Sequence, residues 1–299
     1  MLPKEIQDFI NAPDTVDFVT RANDAFFQFV RDSGQVIVGQ ILSGRYVLGY
    51  IKEENFSHLL EALGAGFISS ATLILGPLDR PDLEAAGIIQ VQNQPYLNLK
   101  GRDVLLGFVD TGIDSTLPVF QYADGSSKIR FLYDQTAEGE PPQGFSTGVE
   151  YTGADIQRAL AAEEPSAVVP QQDESGHGTF LASVAGGLPL ESFTGAAPDA
   201  EIIAVKLRKA RPFYRRKYCV PDWQEEAYSS SDVMVGVEYV LRKARELGRP
   251  VVICLGMGSN FGSHDGYSVF EEYLEGVSIQ KGVCLCAAAG NESQARHHC

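Results

Sequence analysis

The sequence predicts an α/β protein with a doubly wound, mostly parallel sheet that follows a small α+β domain. Two observations support this. From about residue 98 onward, short apolar runs alternate with helical patterns, as in parallel sheets covered on both faces. Residues 1–97 instead combine short strands with little helix. We therefore expect two domains, 1–97 and 98–299, joined by the polar, proline-containing span 92–95.

The first domain is expected to hold two strand–helix–strand units. Its predicted strands are 36–42, 46–51, 67–75 and 88–91, and its predicted helical segments are 53–63 and 80–86.

The second domain carries four apolar runs typical of buried parallel strands. They lie at 104–109, 202–207, 251–255 and 283–287. The clearest helix is 231–247, capped by Ser230 or Ser231 and ended by Gly248 and Pro250, and another is expected at 155–162. In such sheets ligands bind at the carboxyl ends of the strands.

Composition excludes several classes of protein. Of 299 residues, 44% are hydrophobic and 21% charged, which favours a folded chain. A net charge of −15 argues against nucleic acid or an anionic membrane as a partner. The longest uncharged stretch, 62–78, is broken by glycines and a proline, so no membrane span is expected.

The chain shows no signal for secretion. Its first residues lack a basic region followed by an apolar run. The five cysteines are odd in number, and Cys254, Cys284 and Cys286 lie in apolar runs, which predicts buried, reduced thiols. A cytoplasmic or otherwise reducing location is expected.

Asp110 ends an apolar strand within the motif VDTGID at 109–114. A carboxylate there is nearly buried and needs donors or a cationic partner. It could hold a histidine in one tautomer through its Nδ1 proton. The alternative is an aspartate that caps a strand-to-helix turn.

His177 lies between two glycines in SGHGT at 175–179, where Thr179 could cap a following helix. The helix dipole would then help keep the ring neutral and ready to act as a base. The alternative is a loop histidine satisfied by backbone groups.

Asn291 ends AAAGN at 287–291 and could donate its side-chain amide to the oxyanion of a tetrahedral intermediate, or it is a turn residue.

Leu255, Gly256 and Met257 follow a strand, where bare backbone could pair with an extended substrate. The alternative there is a glycine-rich turn. No phosphate-binding motif is present, which argues against a nucleotide-binding protein.

Together, in the order Asp, His, Asn, these motifs resemble the subtilases over residues 98–299, and the first domain resembles a subtilase propeptide. The stretches YDQT at 133–136 and GAAPDA at 195–200 resemble the clostridial branch that includes the Csp spore-germination proteases. The resemblance implies a serine endopeptidase with Asp110 as triad acid, His177 as base and Asn291 as oxyanion donor. Met257 stands where many subtilases have glycine, which implies a narrower pocket.

The resemblance also implies a polypeptide substrate, an N-terminal domain that acts as chaperone and inhibitor and is cut near 88–97, and spore association as an alternative location. Many subtilases bind calcium, but the sequence shows no calcium cage, so neither a metal nor a cofactor is predicted. His297 and His298 are adjacent, and their side chains diverge too far to hold a metal together.

The nucleophile is missing, because no Gly-Thr-Ser occurs in the 299 residues. Two hypotheses follow. The chain is the front part of a longer protease, alone inactive, whose serine lies beyond Cys299. Alternatively, it is a pseudoprotease that acts as a binding or regulatory module.

Overall fold

The structure is a computed structural model that describes residues 3–43, 45–63, 74–77, 87–94, 96–97, 99–190, 193–262 and 265–290. The helices in this part of the chain are α1 (Lys4–Asn11), α2 (Asp24–Ser33), α3 (Phe56–Leu63), α4 (Ile88–Gln92), α5 (Gly153–Ala161), α6 (His177–Gly186), α7 (Pro212–Lys217), α8 (Ser230–Leu247) and α9 (Val269–Ser278). The strands are β1 (Thr15–Arg21), β2 (Val36–Leu42), β3 (Tyr46–Lys52), β4 (Ile74–Pro77), β5 (Leu105–Asp110), β6 (Ile129–Asp134), β7 (Val149–Thr152), β8 (Glu201–Lys206), β9 (Tyr228–Ser229), β10 (Val251–Leu255), β11 (Met257–Gly258) and β12 (Val283–Ala287).

The central sheet has the strand order β12-β10-β5-β8-β6-β7. Every pair in it is parallel except β6 with β7. All six residues of β5 are buried, as expected for a strand covered on both faces. Leu105 and Val109 pack with α8 on one side, and Leu106 and Phe108 pack with α6 on the other. The α/β prediction is confirmed.

A second sheet near the N-terminus has the antiparallel order β1-β3-β2. One face of this sheet packs against the layer formed by α8. Leu48 and Tyr50 of β3 belong to the same hydrophobic cluster as Val237 and Tyr239 of α8. Tyr214 of α7 packs in the core on the opposite side of this N-terminal sheet. Side chains from both parts of the sequence therefore build each core, and the boundary at residue 97 stays a prediction.

A third, small sheet joins distant parts of the chain in the order β11-β4-β9. In it β4 is antiparallel to both neighbours. Residues 67–73 and 80–86, for which a strand and a helical turn were expected, lie outside the described residues.

Two expectations about elements were wrong. The predicted strand 88–91 is helix α4, because a short apolar run does not distinguish strand from helix. The Gln92 side chain anchors this helix by donating to the carbonyl oxygens of Gly195 and Ala196 at 2.7 and 2.8 Å. The cap of α8 is Ser229, and it makes no side-chain capping bond. Elements α1, β1 and α2 were not anticipated.

The prediction of buried cysteines was also wrong. Cys254 is half-buried, whereas Cys284 and Cys286 are exposed. Both exposed thiols lie on β12, which has a single neighbour, β10, among the described strands. The two thiols share one face of β12, and that face is exposed.

Candidate active site

Asp110 is the last residue of β5 and is 1% exposed. It lies opposite Lys206, the last residue of β8, in the parallel ladder. The carboxylate thus stands at the carboxyl edge of the central sheet, where ligands bind in doubly wound folds.

His177 is the first residue of α6, with Gly176 as N-cap. Gly178, the next residue, lets the start of the helix approach the loop that follows Asp110. A Cβ at position 178 would lie 2.3 Å from the Gly112 carbonyl oxygen and 3.2 Å from the Asp110 Cβ. Only glycine permits this spacing, so the motif around His177 serves the close approach of α6 to β5.

The two predicted catalytic side chains are in contact. His177 Nδ1 lies 2.7 Å from Asp110 Oδ1, and both side chains are largely buried. Since an ionised carboxylate can only accept, Nδ1 is the donor. The backbone N–H of Thr111 donates to the same oxygen at 2.8 Å, so two donors orient the carboxylate. The ring is held with Nδ1 turned to the acid.

Gly256, which follows β10, lies against this pair. A Cβ there would lie 2.2 Å from Leu181 Cδ1, 2.8 Å from Asp110 Oδ2 and 2.9 Å from His177 Cε1. Its neighbours differ in placement: Leu255 is the buried last residue of β10, and Met257 begins β11 opposite Pro77. Of the three predicted substrate-binding residues, Gly256 stands beside the acid and base, and Met257 pairs with another segment of the chain.

Asp173 was missed by the sequence reasoning, which expected Thr179 to cap α6. The helix begins before Thr179, and the Asp173 Oδ2 accepts the Thr179 N–H at 2.8 Å. Capping rules look for a side-chain acceptor at the N-cap, which is Gly176 here, so they do not point to Asp173, which lies three residues earlier.

Cys254 does not substitute for a nucleophilic serine. Burial raises the pKa of its thiol to about 12, with smaller contributions from Cys286, Cys284 and Asp110. A thiol that stays protonated at neutral pH is a weak nucleophile. Asn291, the predicted oxyanion donor, lies outside the described residues.

The fold is that of a doubly wound α/β protein with an aspartate–histidine pair at the ligand-binding edge of its sheet. The model of the subtilase family (Peptidase_S8) matches residues 101–298. The chain belongs to the subtilase family, which is a family of serine-type endopeptidases.

Several solved structures and curated sequences are similar to this chain. The CspB protease of Clostridium perfringens is 32% identical, with a TM-score of 0.59, over 70% of this chain and 40% of that chain. Fervidolysin from Fervidobacterium pennivorans, a keratinolytic enzyme related to subtilisin, is 15% identical with a TM-score of 0.54 over 95% of this chain, and supports the fold alone. The subtilisin-like serine protease Pen ch 13 of Penicillium rubens is 27% identical over 170 residues.

The chain spans 37% of the Penicillium protein and 41% of fervidolysin. Within the described ranges, no three His, Cys, Asp or Glu side chains cluster so as to hold a metal ion. Among those same residues, no helix has the length and apolar character required to cross a membrane.

Proposed function

We propose that this chain supplies the acid, the base and the oxyanion donor of a subtilisin-type serine endopeptidase. His177 Nε2 takes the serine Oγ proton while Oγ attacks the carbonyl carbon of the scissile peptide bond. The proton then passes to the leaving amine, and an acyl-enzyme remains for water to hydrolyse. Asp110 keeps His177 in the required tautomer and stabilises the imidazolium.

The single observation that carries this proposal is the 2.7 Å contact between His177 Nδ1 and the buried Asp110 Oδ1. With Nδ1 committed to the acid, Nε2 is the nitrogen that acts as base. The contact joins two motifs separated by 67 residues in the sequence. A turn-capping aspartate and a backbone-satisfied histidine would not need to meet.

The serine is proposed to lie beyond Cys299, so that the 299-residue chain alone is inactive. Two facts support this: no Gly-Thr-Ser occurs in the chain, and the chain spans 40% of the CspB protease. Asn291 is proposed as the oxyanion donor, because its motif follows β12 directly.

A polypeptide substrate is proposed to bind as a strand between β9 and β11. The support is β4, which already lies between these two strands: Leu75 pairs with Tyr228, and Gly76 with Gly258. Because main-chain pairing is independent of side chains, any extended peptide could take this place. Residues 1–97 are accordingly proposed as a propeptide-like domain that inhibits the remainder, 98–299, by presenting β4 to the cleft.

The proposed mechanism uses no cofactor, and the expectations that no metal is bound and that the protein is cytoplasmic or spore-associated stay predictions. The other candidate function, a subtilase-like pseudoprotease, is supported by the missing Gly-Thr-Ser. The two differ in one measurable property, covalent reaction with an activated phosphonate.

The test uses the complete gene product and a fluorophosphonate probe. We expect the product to be labelled at a serine beyond residue 299, and the H177A variant and the 299-residue chain to remain unlabelled. An open reading frame without Gly-Thr-Ser after Cys299, or a complete product that does not react, would favour the pseudoprotease.

A further inference from the structure

We propose that Asp173 is a positioning residue that sets the spacing between Asp110 and His177. Its carboxylate accepts four hydrogen bonds from two different elements. Oδ1 accepts from Thr111 Oγ1 at 2.7 Å and from the Gly176 N–H at 3.0 Å. Oδ2 accepts from Thr179, from its N–H at 2.8 Å and its Oγ1 at 2.6 Å. The role in catalysis rests on the function proposed above.

The first element is the loop that follows β5. Thr111 is the residue after the acid, and its N–H donates to Asp110 Oδ1 at 2.8 Å. Its hydroxyl donates to Asp173 and accepts from the Gly178 N–H at 2.9 Å. Thr111 is thus held between the acid and the start of α6.

The second element is the N-terminus of α6, which carries His177 as its first residue. The first N–H groups of a helix lack partners within it, and the helix dipole favours a negative charge there. Asp173 supplies both an acceptor and that charge. Thr179 Oγ1 also accepts from the Asp114 N–H at 2.9 Å, which adds a further link to the loop after β5.

One carboxylate therefore joins the backbone next to the acid to the backbone next to the base. Asp173 acts through Thr111, Gly176 and Thr179, which donate its four hydrogen bonds. Loss of the carboxylate frees the loop and the helix to move relative to each other. A misplacement of about 1 Å in such a site can cost about 10²-fold in rate.

A cap that only stabilises α6 would make the same bonds, so the test needs a matched cap elsewhere. Asp155 provides it in α5. Its Oδ2 accepts from Thr152, from the N–H at 2.8 Å and from Oγ1 at 2.6 Å, closing a capping box. D155A removes a helix-capping carboxylate without touching the acid–base pair.

The first readout needs no activity. In the 299-residue chain labelled with ¹⁵N-histidine, the Nδ1-bound proton of His177 should give a low-field resonance, assigned by its loss in H177Q. We expect this resonance to shift or broaden in D173A, to change less in D173N, which keeps one acceptor oxygen, and to stay in place in D155A.

The second readout is the rate of fluorophosphonate labelling of the complete gene product. We expect a loss of about 10²-fold in D173A and about tenfold in D173N. D155A should stay within about twofold of the wild type, because its site is independent. If D173A does not fold, D173N decides both readouts.

An unchanged His177 resonance in folded D173A or D173N would overturn the proposal, as would equal labelling rates for the Asp173 and Asp155 variants. If the wild-type product is not labelled at all, the proposed function fails, while the resonance still tests the positioning of His177.

Discussion

Pro77 lies opposite Met257 in an antiparallel pair, with Gly76 opposite Gly258. Since β11 runs away from Gly256, the antiparallel strand β4 runs toward the Gly256 end of this pair, and Gly256 lies against His177 and Asp110. Strand β4 therefore ends opposite the residue that follows Gly256, next to the candidate acid–base pair.

If residues 1–97 are the propeptide proposed above, the direction of β4 predicts where the chain is cut. In the complete gene product, we expect the mature N-terminus to fall within residues 78–87, earlier than the 88–97 expected from sequence. Helix α4 is tied through Gln92 to Gly195 and Ala196, and the Ala196 N–H bonds to Val184 near the end of α6. His177 is at the opposite end of that helix, and Val184 lies seven residues, or about 10 Å, further along it.

Mass spectrometry of the purified product gives the mature N-terminus directly. The H177A product should remain uncut, which excludes cleavage by a host protease. A mature chain that begins at residue 88 or later would contradict the prediction.

Replacing Gly256 by alanine is expected to disable the acid–base pair. The new methyl group would lie 2.2 Å from Leu181 Cδ1 and 2.9 Å from His177 Cε1, so the ring or the β10–β11 turn must shift. A shift of about 1 Å predicts about a 10²-fold loss in fluorophosphonate labelling.

G276A is the matched control, because a Cβ at Gly276 in α9 meets nothing within 4 Å. It should label at the wild-type rate and gain about 0.5–1 kcal/mol in unfolding free energy. Equal labelling by G256A and G276A would show that Gly256 tolerates a side chain.

The N-terminal sheet is joined to α7 by a buried ion pair, Asp17–Arg211. The Arg211 Nε lies 2.7 Å from Asp17 Oδ1, and the side chains are 6% and 1% exposed. The N–H does not point at that oxygen, so the contact is electrostatic rather than a hydrogen bond. Ser231 donates to the other carboxylate oxygen.

D17N would leave the buried guanidinium groups of Arg208 and Arg211 to share one carboxylate, that of Asp232, and we expect the chain to lose about 3–5 kcal/mol of unfolding free energy. The control is E53Q, which breaks the exposed Arg216–Glu53 pair between the same two parts of the chain. That loss should stay within about 1 kcal/mol. Urea unfolding measures both, and equal losses would rule out a special role for the buried pair.

The central sheet was predictable because its strands are buried on both faces and read as continuous apolar runs. In the first ninety residues, β2, β3 and the helical segment 53–63 were predicted, but β1 was not, since it carries the buried polar residues Thr15, Asp17 and Thr20 among its apolar ones. The partner of Asp17, Arg211, lies almost two hundred residues away. Such long-range pairing leaves no local signal.

Within the candidate site, Asp110 and His177 were predictable from motif and strand position. The insertion of β4 between β9 and β11 was not, because backbone pairing does not depend on residue type. Asp173 was not predictable either, because it lies three residues before the N-cap Gly176, where capping rules assign no side chain.

Lys128 is fully buried, and its Nζ donates to the Pro198 carbonyl oxygen at 2.8 Å and to that of Gly186, the last residue of α6. Burial lowers the pKa of Lys128 to about 8 from 10.5, although Asp199 and Glu201 favour its charged form. Between these two values the unfolded chain binds more protons than the folded one. Stability contributed at this site therefore rises with pH across that window.

K128M removes the titration and keeps most of the side-chain volume. The unfolding free energy of the wild type minus that of K128M is expected to increase by about 3 kcal/mol from pH 8 to pH 10.5. Urea unfolding at several pH values measures this difference, and K281M, at an exposed lysine, should give a difference that stays constant. A wild-type advantage over K128M that is flat or falls across this range would mean that burial does not depress the Lys128 pKa.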